Sequence, residues 1–129
     1  MKNVFGKEFR LLNFRDFAYL KNDSLKFNHP LFRVYFKKTL NLNGHSRIGI
    51  SISRKVCKAH LRNKLKRKYR EFFRSSELKT TGLDLFLTIS PHIFKINSIE
   101  TGLLDYEAGL NKLEVYLLQK FGTQAGVHD

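Results

Sequence analysis

The sequence predicts an α+β domain, a two-layer α/β sandwich in which a four-stranded sheet packs against three helices. Two segments, 47–53 and 83–90, alternate apolar with small or polar residues, which is typical of strands. A helix with a strongly basic face is predicted between them at 58–74, and a long helix with an apolar stripe at 97–121. Strands interleaved with helices in this order favour the two-layer arrangement.

The N-terminal third supplies the remaining elements. A short helix is predicted from Asn13, which is a plausible N-cap residue. Two strands follow at 24–27 and 31–37, and the pair Asn43-Gly44 tolerates the positive φ of a hairpin turn. Near the other end, Asn97 with Glu100 has the capping-box spacing that opens a helix. The buried stripe of that helix is predicted to contain Ile99, Leu103, Tyr106, Leu110, Leu113 and Leu117.

The length of 129 residues suits one domain, which we place at 1–122, with a disordered tail at 123–129. The formal net charge is +13 and the isoelectric point is about 10.1, so an acidic partner is expected, most commonly a nucleic acid. An anionic membrane is the other candidate, but no apolar run approaches the ~20 residues of a spanning helix. The single cysteine suits a reducing compartment, so we predict a cytoplasmic protein without membrane attachment.

The positive charge is concentrated in one stretch. Residues 54–74 contain ten Lys and Arg and one Glu, so they carry +9 of the net charge. Helical spacing directs Leu61, Leu65 and Phe72 to one side, and a polar stripe containing Asn63, Arg67, Arg70 and Arg74 to the other. A merely solvated face usually mixes both signs of charge. The near absence of acids and the presence of arginine therefore favour a nucleic-acid surface.

Two segments of this region contain specific motifs, RNKLKRKYR at residues 62–70 and GISISRK at residues 49–55. The first resembles the R-N-x-x-K-R-x-x-R signature of the bacterial ribonuclease P protein subunit. The second is similar to the strand-end pattern G-x-S-[VI]-S-[KR]-K of the same family. The resemblance implies an unusual left-handed crossover from the strand at 47–53 through the basic helix to the strand at 83–90, against the general right-handed rule.

The resemblance also implies a function. In that family an RNA subunit carries the active site and its Mg²⁺, and the protein binds this RNA and the 5′ leader of precursor tRNA, which aids removal of the leader. The implied RNA-binding residues are Arg54, Lys55, Lys58, Arg62, Asn63, Lys64, Lys66, Arg67, Arg70 and Arg74. The implied leader cleft contains Phe17, Tyr35 and Ser51, with Lys21 where the family has a second aromatic residue.

The residues themselves indicate neither a catalytic site nor a metal site in the protein. The eleven acids are scattered and the five histidines share no motif, whereas phosphodiester hydrolysis needs clustered metal ligands or a positioned acid–base pair. The alternatives are a ribosomal protein or another structural RNA-binding protein, a duplex-DNA regulator and a self-contained ribonuclease. DNA is disfavoured because the basic helix is poor in the Gln, Ser and Thr that read bases.

Overall fold

The computed structural model describes residues 20, 24–39, 45–94 and 98–121. Within them lie four strands, two α-helices and a short 3-10 helix. In chain order these are β1 (Leu25–His29), β2 (Phe32–Lys38), β3 (Arg47–Ser51), α1 (Ala59–Arg74), the 3-10 helix (Glu77–Thr80), β4 (Leu83–Ile89) and α2 (Ile99–Phe121). Each strand and each α-helix begins and ends within two residues of its predicted bounds.

The strands form one mixed sheet in the order β1-β2-β4-β3. The pairs β1/β2 and β2/β4 are antiparallel, whereas β3 and β4 are parallel neighbours joined by the connection that contains α1. The α+β class and the four-stranded sheet are therefore confirmed. The left hand of the crossover stays a prediction from the resemblance.

The predicted number of helices is off by one in the described residues, which form two α-helices rather than three. The predicted first helix, from Asn13, lies outside the described residues except for Leu20, which is helical. Leu20 is fully buried and packs with Phe86 and Tyr35. The predicted turn at Asn43-Gly44 and the tail at 123–129 also lie outside the described residues.

The core lies between one face of the sheet and the two helices. Alternate residues of the strands point into it, because successive side chains of a strand point to opposite faces. They share one buried cluster with side chains of both helices, including Phe32, Val34, Phe36, Ile48, Leu85, Leu87, Leu65, Tyr69, Tyr106, Leu110 and Leu113. Both helices therefore cover the same face of the sheet, and neither helix covers the opposite face.

The central strand β4 is buried on both faces, which its alternating sequence did not predict. On the face away from the helices, Phe86 is covered by Leu20 and Tyr35. In the same strand Asp84 is fully buried and receives two hydrogen bonds from the Arg47 guanidinium, at 3.0 and 2.7 Å. Pairing of both carboxylate oxygens makes burial of this charge tolerable.

Helix α2 begins differently from the prediction. The Oγ of Ser98 accepts a hydrogen bond from the backbone N–H of Thr101 at 3.1 Å, and the Ser98 carbonyl accepts one from Gly102 at 2.9 Å. These two bonds make Ser98, not Asn97, the N-cap residue. The next residue, Ile99, is 47% exposed and does not belong to the buried stripe, because the stripe begins one turn further along.

Candidate nucleic-acid interface

Helix α1 buries one row of side chains and turns its cations away from it. The buried row is Leu61, Leu65, Tyr69 and Phe73, spaced at i, i+4. The predicted row contained Phe72 in place of Phe73, which was wrong. Because four residues overshoot a full helical turn by about 40°, the buried face rotates along the helix and brings Phe73 beneath it. Phe72 lies partly buried at the side, in the groove towards α2.

The ten predicted RNA-binding residues extend from the loop before α1 to its last turn. Those that are exposed are Arg54, Lys55, Lys58, Asn63 and Arg67, and those that are partly buried are Arg62, Lys64, Lys66, Arg70 and Arg74. At 1.5 Å per residue α1 is about 24 Å long, so the cations are spread over several phosphate spacings. The ion pairs Arg47–Asp84 and Lys68–Glu107 use none of the ten.

The start of α1 is organised by one of these cations. Arg62 donates a hydrogen bond from Nη1 to the backbone carbonyl of Cys57 at 2.6 Å, which fixes the loop against the first helical turn. Lys58 is the N-cap residue but makes no side-chain capping bond, and the first turn contains no acid. Neither a capping side chain nor an acid of the first turn offsets the positive end of the helix dipole, which adds to the charge of Lys58.

The last turn of α1 contains a further unsatisfied group. The Nε of Arg74 is buried and has no hydrogen-bond partner among the described residues. A buried guanidinium N–H without an acceptor is costly.

Lys68 differs from its cationic neighbours. Its Nζ forms an ion pair with Glu107 of α2, and the two helices are joined again where the Tyr106 hydroxyl donates to the Leu65 carbonyl at 3.0 Å. These contacts fix the rotation of α1 about its axis. Lys68 accordingly serves the helix pair, whereas Arg67, its neighbour in sequence, faces outward and exposed.

Cys57 lies beside the basic surface. Partial burial raises the pKa of its thiol, and the nearby Arg62 guanidinium opposes this rise only in part. The thiol is thus held in its protonated form near neutral pH, which suits a packing role at the helix start.

The sheet face away from the helices places Tyr35 and Ser51 on neighbouring cross-strand rows. Tyr35 pairs with Lys26 on one side and Phe86 on the other, and the Lys26 ammonium lies 5.6 Å from the centre of the Tyr35 ring. Ser51 is exposed and pairs with Thr88. The other two predicted cleft residues, Phe17 and Lys21, lie outside the described residues.

The structure adds polar residues to this face that sequence reasoning missed. Arg33 donates from Nε to the Asn28 side-chain oxygen at 2.8 Å, and this pair occupies the same cross-strand row as Thr88 and Ser51. A depression of about 420 Å³ adjoins the row, with Asn28, Arg33, Tyr35, Thr88, Ser90 and Pro91 in its lining. Alternation along β2 already directs Arg33 and Tyr35 to one face, but Asn28 required the register between β1 and β2.

Two classes of feature are missing from the described part of the chain. It contains no group of three or more His, Cys, Asp or Glu residues placed to hold a metal ion. None of its helices is long and apolar enough to cross a bilayer.

Comparison with known proteins identifies related chains. The family described as ribonuclease P matches residues 5–113. The ribonuclease P protein component of Buchnera aphidicola subsp. Schizaphis graminum is 35% identical over 95 residues, which are 73% of this chain and 82% of that protein. That of Legionella pneumophila strain Corby is 34% identical over 93 residues, which are 71% and 78% of the two chains.

A solved structure is similar over most of the fold. The ribonuclease P protein from Thermotoga maritima superposes with a TM-score of 0.61 and 32% identity, covering 81% of this chain and 94% of that one.

Proposed function

The chain belongs to the ribonuclease P protein family, and is therefore a component of a tRNA-processing endoribonuclease, and we propose that it binds the catalytic RNA subunit through α1 and the 5′ leader of precursor tRNA through the open sheet face. Together these contacts would help the holoenzyme remove the leader and release mature tRNA. The observation that carries the proposal is the row of outward cations on α1 that form no ion pair with the acids of the described residues.

The proposed RNA contacts combine shape and charge. Arg67 and Asn63 are exposed on the outer face of α1, and Arg54, Lys55 and Lys58 continue the surface beyond its N-terminus. Arginine binds phosphate through two parallel N–H donors, and charge-assisted bonds of this kind are about twice as strong as neutral ones. The helix N-terminus adds a further site that favours an anion.

The open sheet face supplies what a single strand needs. Tyr35 offers a ring on which a base can stack, and Lys26 and Arg33 beside it offer charge to the backbone. Ser51 and Thr88 add hydroxyl groups on the next row. In the proposal the leader lies across these rows, and Phe17 and Lys21 contact it from the preceding segment.

Chemistry is assigned to the RNA in this proposal. The RNA subunit and the substrate would hold Mg²⁺, which would supply a Lewis acid for hydrolysis of the phosphodiester. The protein holds the RNA and the leader in place, neutralises phosphates and performs no proton transfer. We place this work in the cytoplasm and expect neither a membrane nor DNA as a partner.

Reconstitution tests the proposal directly. The protein, a ribonuclease P RNA and precursor tRNA are combined at low Mg²⁺, and the protein and the RNA are each assayed alone. We expect no cleavage by the protein alone and efficient 5′ cleavage by the two together. Specific 5′ cleavage by protein freed of all RNA would overturn the division of labour. Failure to stimulate the RNA, combined with co-sedimentation with ribosomes, would favour a ribosomal protein instead.

A further inference from the structure

The outer face of α2 carries exposed apolar side chains. Of the five large apolar side chains that are exposed among the described residues, four lie on α2. Leu104 is 63% exposed and Val115 55%, and an interval of eleven residues places them within about 20° of each other around the helix. Two small or uncharged exposed residues complete the line. We define the α2 stripe as Leu104, Ala108, Asn111 and Val115.

The spacing of the α2 stripe is that of a coiled-coil seam. Intervals of four, three and four residues place its members at successive a and d positions of a heptad pattern. Ala108 is small enough to allow two helices to approach closely. We propose that the α2 stripe packs against the α2 stripe of a second copy of this chain, around a two-fold axis. This pairing is independent of the proposed RNA contacts.

The charges beside the stripe select a parallel pair. Glu107 and Glu114 lie on the flank towards α1, where Glu107 pairs with Lys68. Asp105 and Lys112 lie on the opposite flank, beside His29. In an antiparallel pair each flank meets the same flank of the second copy, so Asp105 would face Lys112, whereas Glu107 would face Glu114. The two cationic α1 helices would also lie on the same side of the seam, and their repulsion disfavours this orientation.

In a parallel pair each flank meets the opposite one. Lys112 then faces Glu107 of the second copy, Glu100 faces Asp105, and symmetry repeats both contacts. The two α1 helices lie on opposite sides of the seam, which reduces their repulsion. Asn111 meets its own counterpart, and a polar pair within an apolar seam fixes the register at some cost in stability.

The dimer should be weak and should respond to salt in the opposite way to RNA binding. The stripe offers four residues a side, compared with about 20–30 in a standard interface. Two chains of formal charge +13 repel each other, and added salt screens that repulsion. Salt therefore strengthens this contact, whereas it weakens a contact with phosphates.

Analytical ultracentrifugation of the full chain without RNA tests the proposal. We expect a monomer–dimer equilibrium over about 10–500 µM protein that shifts towards dimer between about 0.1 and 1 M salt. Leu104→Glu should raise the dimer dissociation constant at least about tenfold. Leu25→Glu is the matched control, since Leu25 is 52% exposed on β1 and lies outside the stripe, and it should leave the equilibrium unchanged.

Cross-linking tests the orientation. In a Cys57→Ser background, Leu104→Cys should form a disulfide-linked dimer on mild oxidation, because a parallel pair brings the two positions together. Antiparallel pairing would separate them by about 16 Å, too far for a disulfide. A chain that stays monomeric throughout, or a Leu104→Glu variant that associates like the parent, would overturn the proposal. Loss of association by Leu104→Glu without any cross-link would overturn the parallel orientation. Binding of Leu104→Glu to ribonuclease P RNA should equal that of the parent, which keeps this test separate from the proposed function.

Discussion

Helices α1 and α2 lie side by side on the same face of one sheet, yet their outer faces have opposite character. Helix α1 contains seven Lys and Arg and one Glu, whereas α2 contains four acids and two lysines. Four of the five exposed large apolar residues in the described part of the chain are on α2, and α1 has none. The inner rows of both helices are similar, because the same core selects them. The outer rows are not constrained by packing, so their difference points to different partners, a polyanion for α1 and a second copy of the chain for α2.

The largest expected effect concerns the charge of α1. If six to ten cations neutralise phosphates, the affinity for the RNA subunit should fall by roughly 10³–10⁵ between about 50 and 200 mM monovalent salt. The reason is that counterions released from the RNA on binding must be displaced against a higher bulk concentration. Filter binding or fluorescence anisotropy at constant Mg²⁺ measures it. An RNA affinity that does not change with salt would show that α1 is not the RNA interface. The two helices would then not differ in the partners proposed for them.

The next effect separates two adjacent cations of α1. Arg67→Ala should weaken RNA binding by about 1–3 kcal/mol, because it removes an exposed donor that is free to bind phosphate. Lys68→Ala removes the same charge but from the ion pair with Glu107. It should leave RNA affinity nearly unchanged and lower the free energy of unfolding by at most about 1 kcal/mol. Both quantities are measured for both variants, and equal losses of affinity would mean that net charge alone matters.

This pair also illustrates what the sequence could and could not predict. The 3.6-residue period was enough to separate Arg67 from Lys68, since it needs only the direction of the core. It failed at Phe72 and Phe73, two equivalent phenylalanines, because the choice depends on how far the buried row rotates along a packed helix. The ion pair between Lys68 and Glu107 could not be predicted from the sequence either, because it depends on where α2 lies relative to α1.

In the sheet, too, local sequence patterns predicted the elements but not the contacts between them. Alternation predicted the strands to within two residues, and the Gly-Ser segment 49–53 placed Ser51 on the open face. The contact of Lys26 with Tyr35 and the Arg33–Asn28 bond depend on the register between β1 and β2, which no local pattern encodes. The burial of Asp84 similarly needed Arg47 in the adjacent parallel strand.

The third expected effect concerns the open sheet face, which we expect to discriminate precursor tRNA from mature tRNA. Tyr35→Ala should reduce the preference of the holoenzyme for precursor over mature tRNA by about 1–3 kcal/mol, because only the precursor has a leader that can stack on the ring. Affinity for the RNA subunit should hardly change. Comparison of the dissociation constants for the two tRNAs measures the preference. Tyr35 is only partly buried, so thermal melting should confirm that the variant folds, and unchanged discrimination in a folded variant would contradict the leader contact.

The smallest expected effect concerns a titratable group beneath α2. His29 stacks on Phe32, with ring centres 4.6 Å apart, and its Nδ1 accepts a hydrogen bond from the backbone N–H of Leu31 at 3.1 Å. A Cβ on Gly109 of α2 would lie 2.8 Å from His29 Nε2, so glycine allows this close approach. Burial, then the charge of Lys112, lower the pKa of His29, and Asp105 opposes them. His92 lines a second depression, of about 360 Å³, together with His29, Asp105 and Lys112.

The sign of the pH dependence follows from that shift. The folded state holds the His29 proton less tightly than the unfolded chain, so this contribution to stability is complete above the ordinary histidine pKa of about 6.5 and is lost as the pH falls through the lowered value. Urea unfolding at low protein concentration, from about pH 8 to 5, should reveal a decline that His29→Phe reduces. Two exposed neighbours provide a matched pair with opposite signs. Lys112→Ala removes a cause of the shift and should make the decline smaller, whereas Asp105→Ala removes the opposing charge and should make it larger. Both effects should disappear in a His29→Phe background, and if they persist there, general charge, not His29, sets the pH dependence of this helix.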